Sequence, residues 1–232
     1  MADPVSTRSR IMVPVSRSTT YRLLSHVFRD PTPGFFEEFR NGDFLSELWD
    51  NLSDLSYMLP YLQGRVDFID KIERQLQQLT YEEFATEYAR VFAAGVPVPL
   101  CSPFEGLQEQ NFDREALLLQ VSAFYRQFGL DIHGRNGSSK PADHLSTELE
   151  FLHYLTFKEA QATSTRAGDL LRGYILAQRD FLQNHLIHWV PGFCHKLRTN
   201  CKIPFFGDLT TLAADFVALD YDSVCSRLEM GL

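Results

Sequence analysis

Residues 141–149 read Pro-Ala-Asp-His-Leu-Ser-Thr-Glu-Leu and bring together an aspartate, a histidine and a glutamate, groups able to move protons or pair with a charged ligand. Pro141 suits the first turn of a helix or the position just before it. Asp143 then falls among amides that a helix start leaves unpaired, where capping and the helix dipole favour a carboxylate. His144 beside it can be held in one tautomer or charged more readily. Glu148 follows His144 at i+4 and so shares its face. The same residues also make a capped helix start and nothing more, so the local pattern permits a binding site without requiring one.

Other chemistry finds less support. Glu150-Phe-Leu-His153 has the Glu-x-x-His spacing of di-iron bundles, but no second copy accompanies it. His185 and His188 could share a face with Cys194 or His195, yet the spacings follow no zinc pattern. A metal-dependent hydrolase using His144, Glu148 and His153 is the enzymatic alternative. The chain has no Gly-x-Ser-x-Gly, no cysteine in a catalytic context and no phosphate-binding Gly-x4-Gly-Lys loop. A binding surface therefore fits the residues better than a reaction centre.

The elements that must position these groups are helical. Periodicity predicts helices over 19–29, 35–39, 44–59, 66–79, 113–128, 142–162, 166–189, 193–198 and 208–219. Thr80-Tyr-Glu-Glu83 has capping-box spacing and opens a helix to about Phe92. Gly129 sits where a left-handed cap is expected, and Pro191-Gly192 reads as a break. No window alternates like a strand. The expectation is an all-α, single globular bundle of about nine to eleven helices over 18–232, preceded by a flexible tail over 1–17. Its longest irregular pieces are 93–111, whose stretch 95–103 holds three prolines, and the Gly- and Ser-rich 131–141.

The formal net charge is −8, from 30 acidic and 22 basic residues, which argues against nucleic acid as a partner and suits a basic ligand. With 44% hydrophobic residues a core of this size needs neither metal nor disulfide. Cys101, Cys194, Cys201 and Cys225 form no CxxC pair and read as reduced thiols of a cytoplasmic protein. No stretch is apolar for the ~18 residues of a membrane span, and the apolar run near the N-terminus is too short for a secretory signal.

Several segments together carry a resemblance. Pro141-x-Asp143-His144-Leu145-x-x-Glu148-Leu149-x-Phe151-Leu152 resembles the signature of redox enzyme maturation chaperones of the TorD/DmsD/NarJ type. Tyr88-Ala-Arg-Val-Phe92 with the following proline-rich loop, Phe124-Tyr125-x-x-Phe128-Gly129-Leu130, and Phe181-Leu-x-x-His185-Leu-x-x-Trp189-Val-Pro191 resemble further family segments, in order. Lys140 stands where the family often has Glu, and Pro103-Phe104-Glu105-Gly106 departs from its usual loop. The resemblance implies an all-helical TorD/DmsD-like fold, no catalysis and no cofactor or metal of its own. It implies a cytoplasmic chaperone that binds the apo catalytic subunit of a DMSO-reductase-family molybdoenzyme and that enzyme's twin-arginine signal peptide, delaying export until the molybdenum cofactor is inserted. Molybdenum cofactor delivery proteins are further implied partners. Client-site residues are expected at Pro141, Asp143, His144, Glu148, Phe104, Glu105, Tyr125 and Trp189, with the loops at 96–106 and 131–141 beside them. The client is expected to be an exported enzyme such as a hydrocarbon, sulfide, selenate or chlorate converter, with a membrane nitrate reductase as the alternative. The family includes monomers and helix-swapped dimers. A helical scaffold without an export role is the remaining reading.

Overall fold

A computed structural model describes residues 4–58, 66–95, 98–108, 113–130 and 141–231. Among them the regular elements are helices: α1 (Pro4–Val27), α2 (Pro33–Arg40), α3 (Asp43–Ser53), α4 (Val66–Gln77), α5 (Tyr81–Tyr88), α6 (Arg114–Gln127), α7 (Leu145–Thr165), α8 (Gly168–Phe181), α9 (Ile187–Asn200) and α10 (Pro204–Glu229). Local signals set many of the ends. Thr80 and Glu83 complete the reciprocal capping box that opens α5. Asp113 caps α6 through the Ala116 amide, and Gly129 takes the left-handed cap at φ 75°.

α1 packs along α7, α7 along α8, and α9 along α10, with α1 also against α3. Two aromatic groups fill the interior. Phe36, Phe39, Phe84, Phe205 and Phe206 join the small N-terminal helices to α10. Tyr125, Phe151 and Phe181 interlock where α6, α7 and α8 meet. Edge-on and tilted rings at these separations add to simple area burial.

Three expectations require correction. Residues 4–17, expected as a flexible tail, lie in α1, and Ser16 and Arg17 are buried. Pro191 does not break the helix; it lies inside α9 on the exposed side. The carbonyl left without its amide can therefore bond to water, which removes most of the cost of an interior proline. The helix expected from residue 142 begins at Leu145.

Arg17 explains why the first of these matters. Its Nε and Nη2 fork onto Asp220 at 2.6 and 2.8 Å, Nη1 donates to Glu159 at 2.8 Å, and Nη2 to Gln178 at 2.6 Å. Tyr21 and Tyr57 donate to Asp220, and Arg227 to Glu159. Two cations and two carboxylates thus close a neutral network that ties α1, α7, α8 and α10 together.

Candidate functional site

A short antiparallel bridge builds the site. The Glu105 amide donates to the Asp143 carbonyl at 2.9 Å, and the Leu145 amide to the Pro103 carbonyl at 2.9 Å. Phe104 is thereby set opposite His144, their rings edge to face with centroids 4.9 Å apart. This bridge joins the end of the proline-rich loop to the start of α7, two segments that sequence reading could only place side by side.

The polar residues then take roles that differ from a simple cap. His144, not Asp143, caps α7: its Nδ1 accepts from the Ser146 amide at 3.1 Å. An accepting Nδ1 places the ring proton of a neutral imidazole on Nε2. Asp143 is fully buried and turned the other way, accepting a two-pronged pair from Arg114 at 2.8 and 3.0 Å. The Gly106 amide reaches the same carboxylate at 3.3 Å. A charge-assisted fork outweighs a bond to a neutral amide, which accounts for the exchange of roles. Arg114 also lies over the Phe104 ring, 4.9 Å from its centroid.

Behind this layer sit the remaining expected residues. The Tyr125 hydroxyl donates to the Ala142 carbonyl at 3.0 Å and fixes the approach to α7. Burial, with the nearby acids Glu148, Glu105 and Asp143, pushes that phenol well above its ordinary range, so it stays a donor. Trp189 Nε1 donates to Glu148 Oε2 at 3.2 Å, and His185 Nδ1 lies 3.0 Å from Glu105 Oε2. All eight expected residues converge, but they are not equally reachable. Pro141 is exposed and Phe104 and Glu105 partly so, whereas Tyr125, Asp143, His144, Glu148 and Trp189 are buried. Of the five buried residues only His144 also lines a cleft.

The expected client site did not include Arg114, Gly106 or His185. Arg114 opens α6 and His185 lies in the π-helical turn 182–186 between α8 and α9; neither carries a local mark of its partner. Gly106 does have a spatial reason: a Cβ there would fall 2.5 Å from Arg114 Cγ and 3.1 Å from Asp143 Oδ2. Gly106→Ala is expected to push Arg114 off its carboxylate and cost about 1–2 kcal/mol, seen as a melting temperature lower by roughly 3–6 °C.

The accessible part of the site is a cleft of about 310 Å³ lined by Asp30, Tyr88, Phe92, Ala93, Pro99, Pro103, Phe104, Pro141 and His144. Phe92 and Ala93 come from the other π-helical turn, 89–93. Both irregular turns thus deliver residues to one region, a common use of π-bulges. The loop 131–141 lies, except for Pro141, outside the described residues, as do 96 and 97 of the other loop.

The groups of the enzymatic alternative do not gather. His153 turns to α1, where its Nδ1 lies 2.8 Å from Ser18 Oγ, while Glu148 points to Trp189. Among the described residues, no group of three or more His, Cys, Asp or Glu could hold a metal. The four cysteines are free, and burial pushes the Cys101 thiol up to about 11. Among the described residues no helix is long and apolar enough to cross a membrane.

The described residues thus form a helical bundle with a cleft walled mainly by prolines and aromatic rings. The family model described as nitrate reductase delta subunit matches residues 60–195. A perchlorate reductase assembly chaperone protein of Dechloromonas aromatica is 32% identical over 221 residues, covering 95% of each chain. A selenate reductase assembly chaperone protein of Thauera selenatis is 34% identical over 119 residues, 51% of this chain and 60% of that one. The TorD chaperone of Vibrio parahaemolyticus is 25% identical over 181 residues, 76% and 78% of the two chains. The chain belongs to the nitrate reductase delta subunit family, the TorD/NarJ type of chaperone, and is a molybdoenzyme maturation chaperone, not an enzyme.

Proposed function

We propose that this chaperone acts in the cytoplasm on the apo catalytic subunit of an oxyanion reductase, holding an extended segment of it in the cleft beside Phe104 until the molybdenum cofactor is in place. Perchlorate and selenate reductase chaperones among its relatives support that client class. The observation that carries the reading is the cleft itself. At about 310 Å³ it stands at the small end of ligand sites, with room for one or two side chains of an unfolded segment. Prolines and aromatic rings supply apolar walls, and Asp30 places an exposed carboxylate at the rim.

A twin-arginine signal peptide, with a basic end and an apolar middle, matches both features and the net charge of −8. Burying ~400 Å² of apolar surface would supply roughly 10 kcal/mol before the costs of ordering the peptide. A dissociation constant near or below ~1 μM is the expected remainder, tight enough to hold a client and weak enough to release it. Pro141, Phe104, Glu105 and His144 would meet the client, while Asp143, Tyr125, Glu148 and Trp189 would hold that surface in shape.

The test uses a fluorescent twin-arginine signal peptide and its anisotropy. Phe104→Ala is expected to weaken binding about 10-fold through lost apolar contact. Asp30→Asn should weaken it about 2–5-fold and flatten its salt dependence, as befits an exposed ion pair. Unchanged affinity in both variants would show that the peptide binds elsewhere.

A further inference from the structure

Behind the cleft, one buried group is left with half its bonding undone. Glu148 has no exposed surface. Its Oε2 accepts from Trp189, but Oε1 has no donor within reach. A carboxylate oxygen in that position is costly, since desolvation is not repaid by a hydrogen bond. The neighbour that bears on Glu148 most closely is another acid, Glu105, whose two oxygens are held by His185 Nδ1 at 3.1 and 3.0 Å.

Two ionised carboxylates so placed repel, and a single proton between them turns the repulsion into a hydrogen bond. Burial first, then the charge of Glu105, push Glu148 well above the ordinary carboxylate range. A proton shared with Glu105 would relieve that repulsion, and the unpartnered Oε1 is the Glu148 oxygen left free to hold it. The other titratable and charged groups around the pair fit this assignment. Asp143, from the segment before α7, is already matched by Arg114 of α6. Tyr125 of α6 stays a neutral phenol. His144 faces Phe104 and the Ser146 amide, and from the π-turn and α9 come His185 and Trp189.

We propose that the proton shared by Glu148 and Glu105 is a latch on the cleft wall: with it, the segment 102–108 is drawn against α7 and α9 and Phe104 stands in place; without it, Glu105 is pushed outward and Phe104 moves with it. Glu105 and Phe104 are adjacent in the chain, and the Glu105 amide is bonded to Asp143, so displacement of one residue strains the whole bridge. The consequence for a client rests on the reading of the cleft as its binding site; the latch itself does not. The direction with pH follows. A folded-state pKa raised above the unfolded value gives stabilisation that is complete in acid and is lost as pH rises through the folded value. The latch therefore closes toward acid and opens toward base.

Trp189 reports on it directly, because its indole N–H is bonded to Glu148. The chain has two tryptophans, so Trp49→Phe leaves Trp189 as the single indole fluorophore. Its emission, followed from pH 5 to 9.5, is expected to show one transition. Glu148→Gln, which can donate to Glu105 without titrating, should abolish that transition and keep the low-pH emission. Across the same transition, hydrogen exchange of the amides of residues 104–107 should accelerate about tenfold beyond its intrinsic pH dependence in the Trp49→Phe protein, and not in Glu148→Gln. Should Glu148→Gln fail to fold, Glu105→Gln gives a second test. Removing the neighbouring charge lets Glu148 ionise earlier, so the transition should move to lower pH.

A wild-type emission with no transition, a transition that survives in Glu148→Gln or stays unmoved in Glu105→Gln, or exchange at 104–107 that follows only its intrinsic rate would overturn the latch. These readouts use no peptide. A twin-arginine peptide that binds at neither pH extreme would overturn the client reading of the cleft instead.

Discussion

Arg17→Met is expected to destabilise the fold by about 3–5 kcal/mol, the usual consequence of removing one partner from a buried ion pair. Methionine approximates the stem and packs, but it leaves Asp220 buried without its cation and Glu159 with Arg227 alone. Thermal unfolding followed by circular dichroism should show a melting temperature lower by roughly 6–20 °C, at about 2–4 °C per kcal/mol for a chain of this length. The wild type should also show the acid side of this network. Burial alone would raise the Asp220 carboxyl, but Arg17, Tyr21 and Tyr57 overcome that and hold it below the ordinary value. A depressed folded pKa contributes stability present above the unfolded value and lost as pH falls through the folded one. Wild-type stability should thus fall below about pH 4, where unfolded Asp begins to take up protons. Arg17→Met should lose less on the same descent, having already lost the pair. A variant as stable as wild type would mean that the network is replaceable by apolar packing, as some buried ion pairs are.

Asp143→Ala is expected to have the second largest effect, and it should act on binding as well as on stability. The substitution removes a fully buried carboxylate, frees the Arg114 fork and leaves the Gly106 amide without that acceptor. Arg114 is one-third exposed and can return to water, so the cost should be smaller than at Arg17, about 2–3 kcal/mol. The bridge between 103–105 and 143–145 then loses its side-chain support, and Phe104 loses the cation over its ring. Peptide affinity should fall at least about 10-fold. Comparison with Phe104→Ala separates support from contact: Phe104→Ala should weaken binding with little change in melting temperature, whereas Asp143→Ala should lower both. Equal melting temperatures for wild type and Asp143→Ala would place Asp143 outside the scaffold of the site.

These two residues also show how far the sequence could be read. Helix periodicity, the Thr80 capping box and the Gly129 cap depend on neighbours a few positions apart, and the folded chain keeps them. The Pro-x-Asp-His segment carried the expected site, and its family-like companions at Phe104, Tyr125 and Trp189 converge on it in the fold. The individual roles were not legible. Asp143 beside a helix start looks like a cap until Arg114, 29 positions away, claims it and His144 takes its place. Arg17 and Asp220 are separated by 203 positions, so the first half of α1 reads as a loose tail in a local window, and Arg17 becomes a buried strut only when α10 is packed beside it. Pro191 reads as a break because its position facing solvent, which makes it tolerable, is a property of the assembled helices.

Affinity capture of the full chain from the cell that makes it, with mass spectrometry of what is retained, tests the central claim most directly. The wild-type protein and a folded Phe104→Ala/His144→Ala double variant are compared at equal expression. The expected result is a reductase catalytic subunit, lacking its molybdenum cofactor, held by the wild type and reduced at least about 10-fold in the variant. Recovery of the same subunit in equal yield with both would contradict the assignment of the cleft beside Phe104 as the client site.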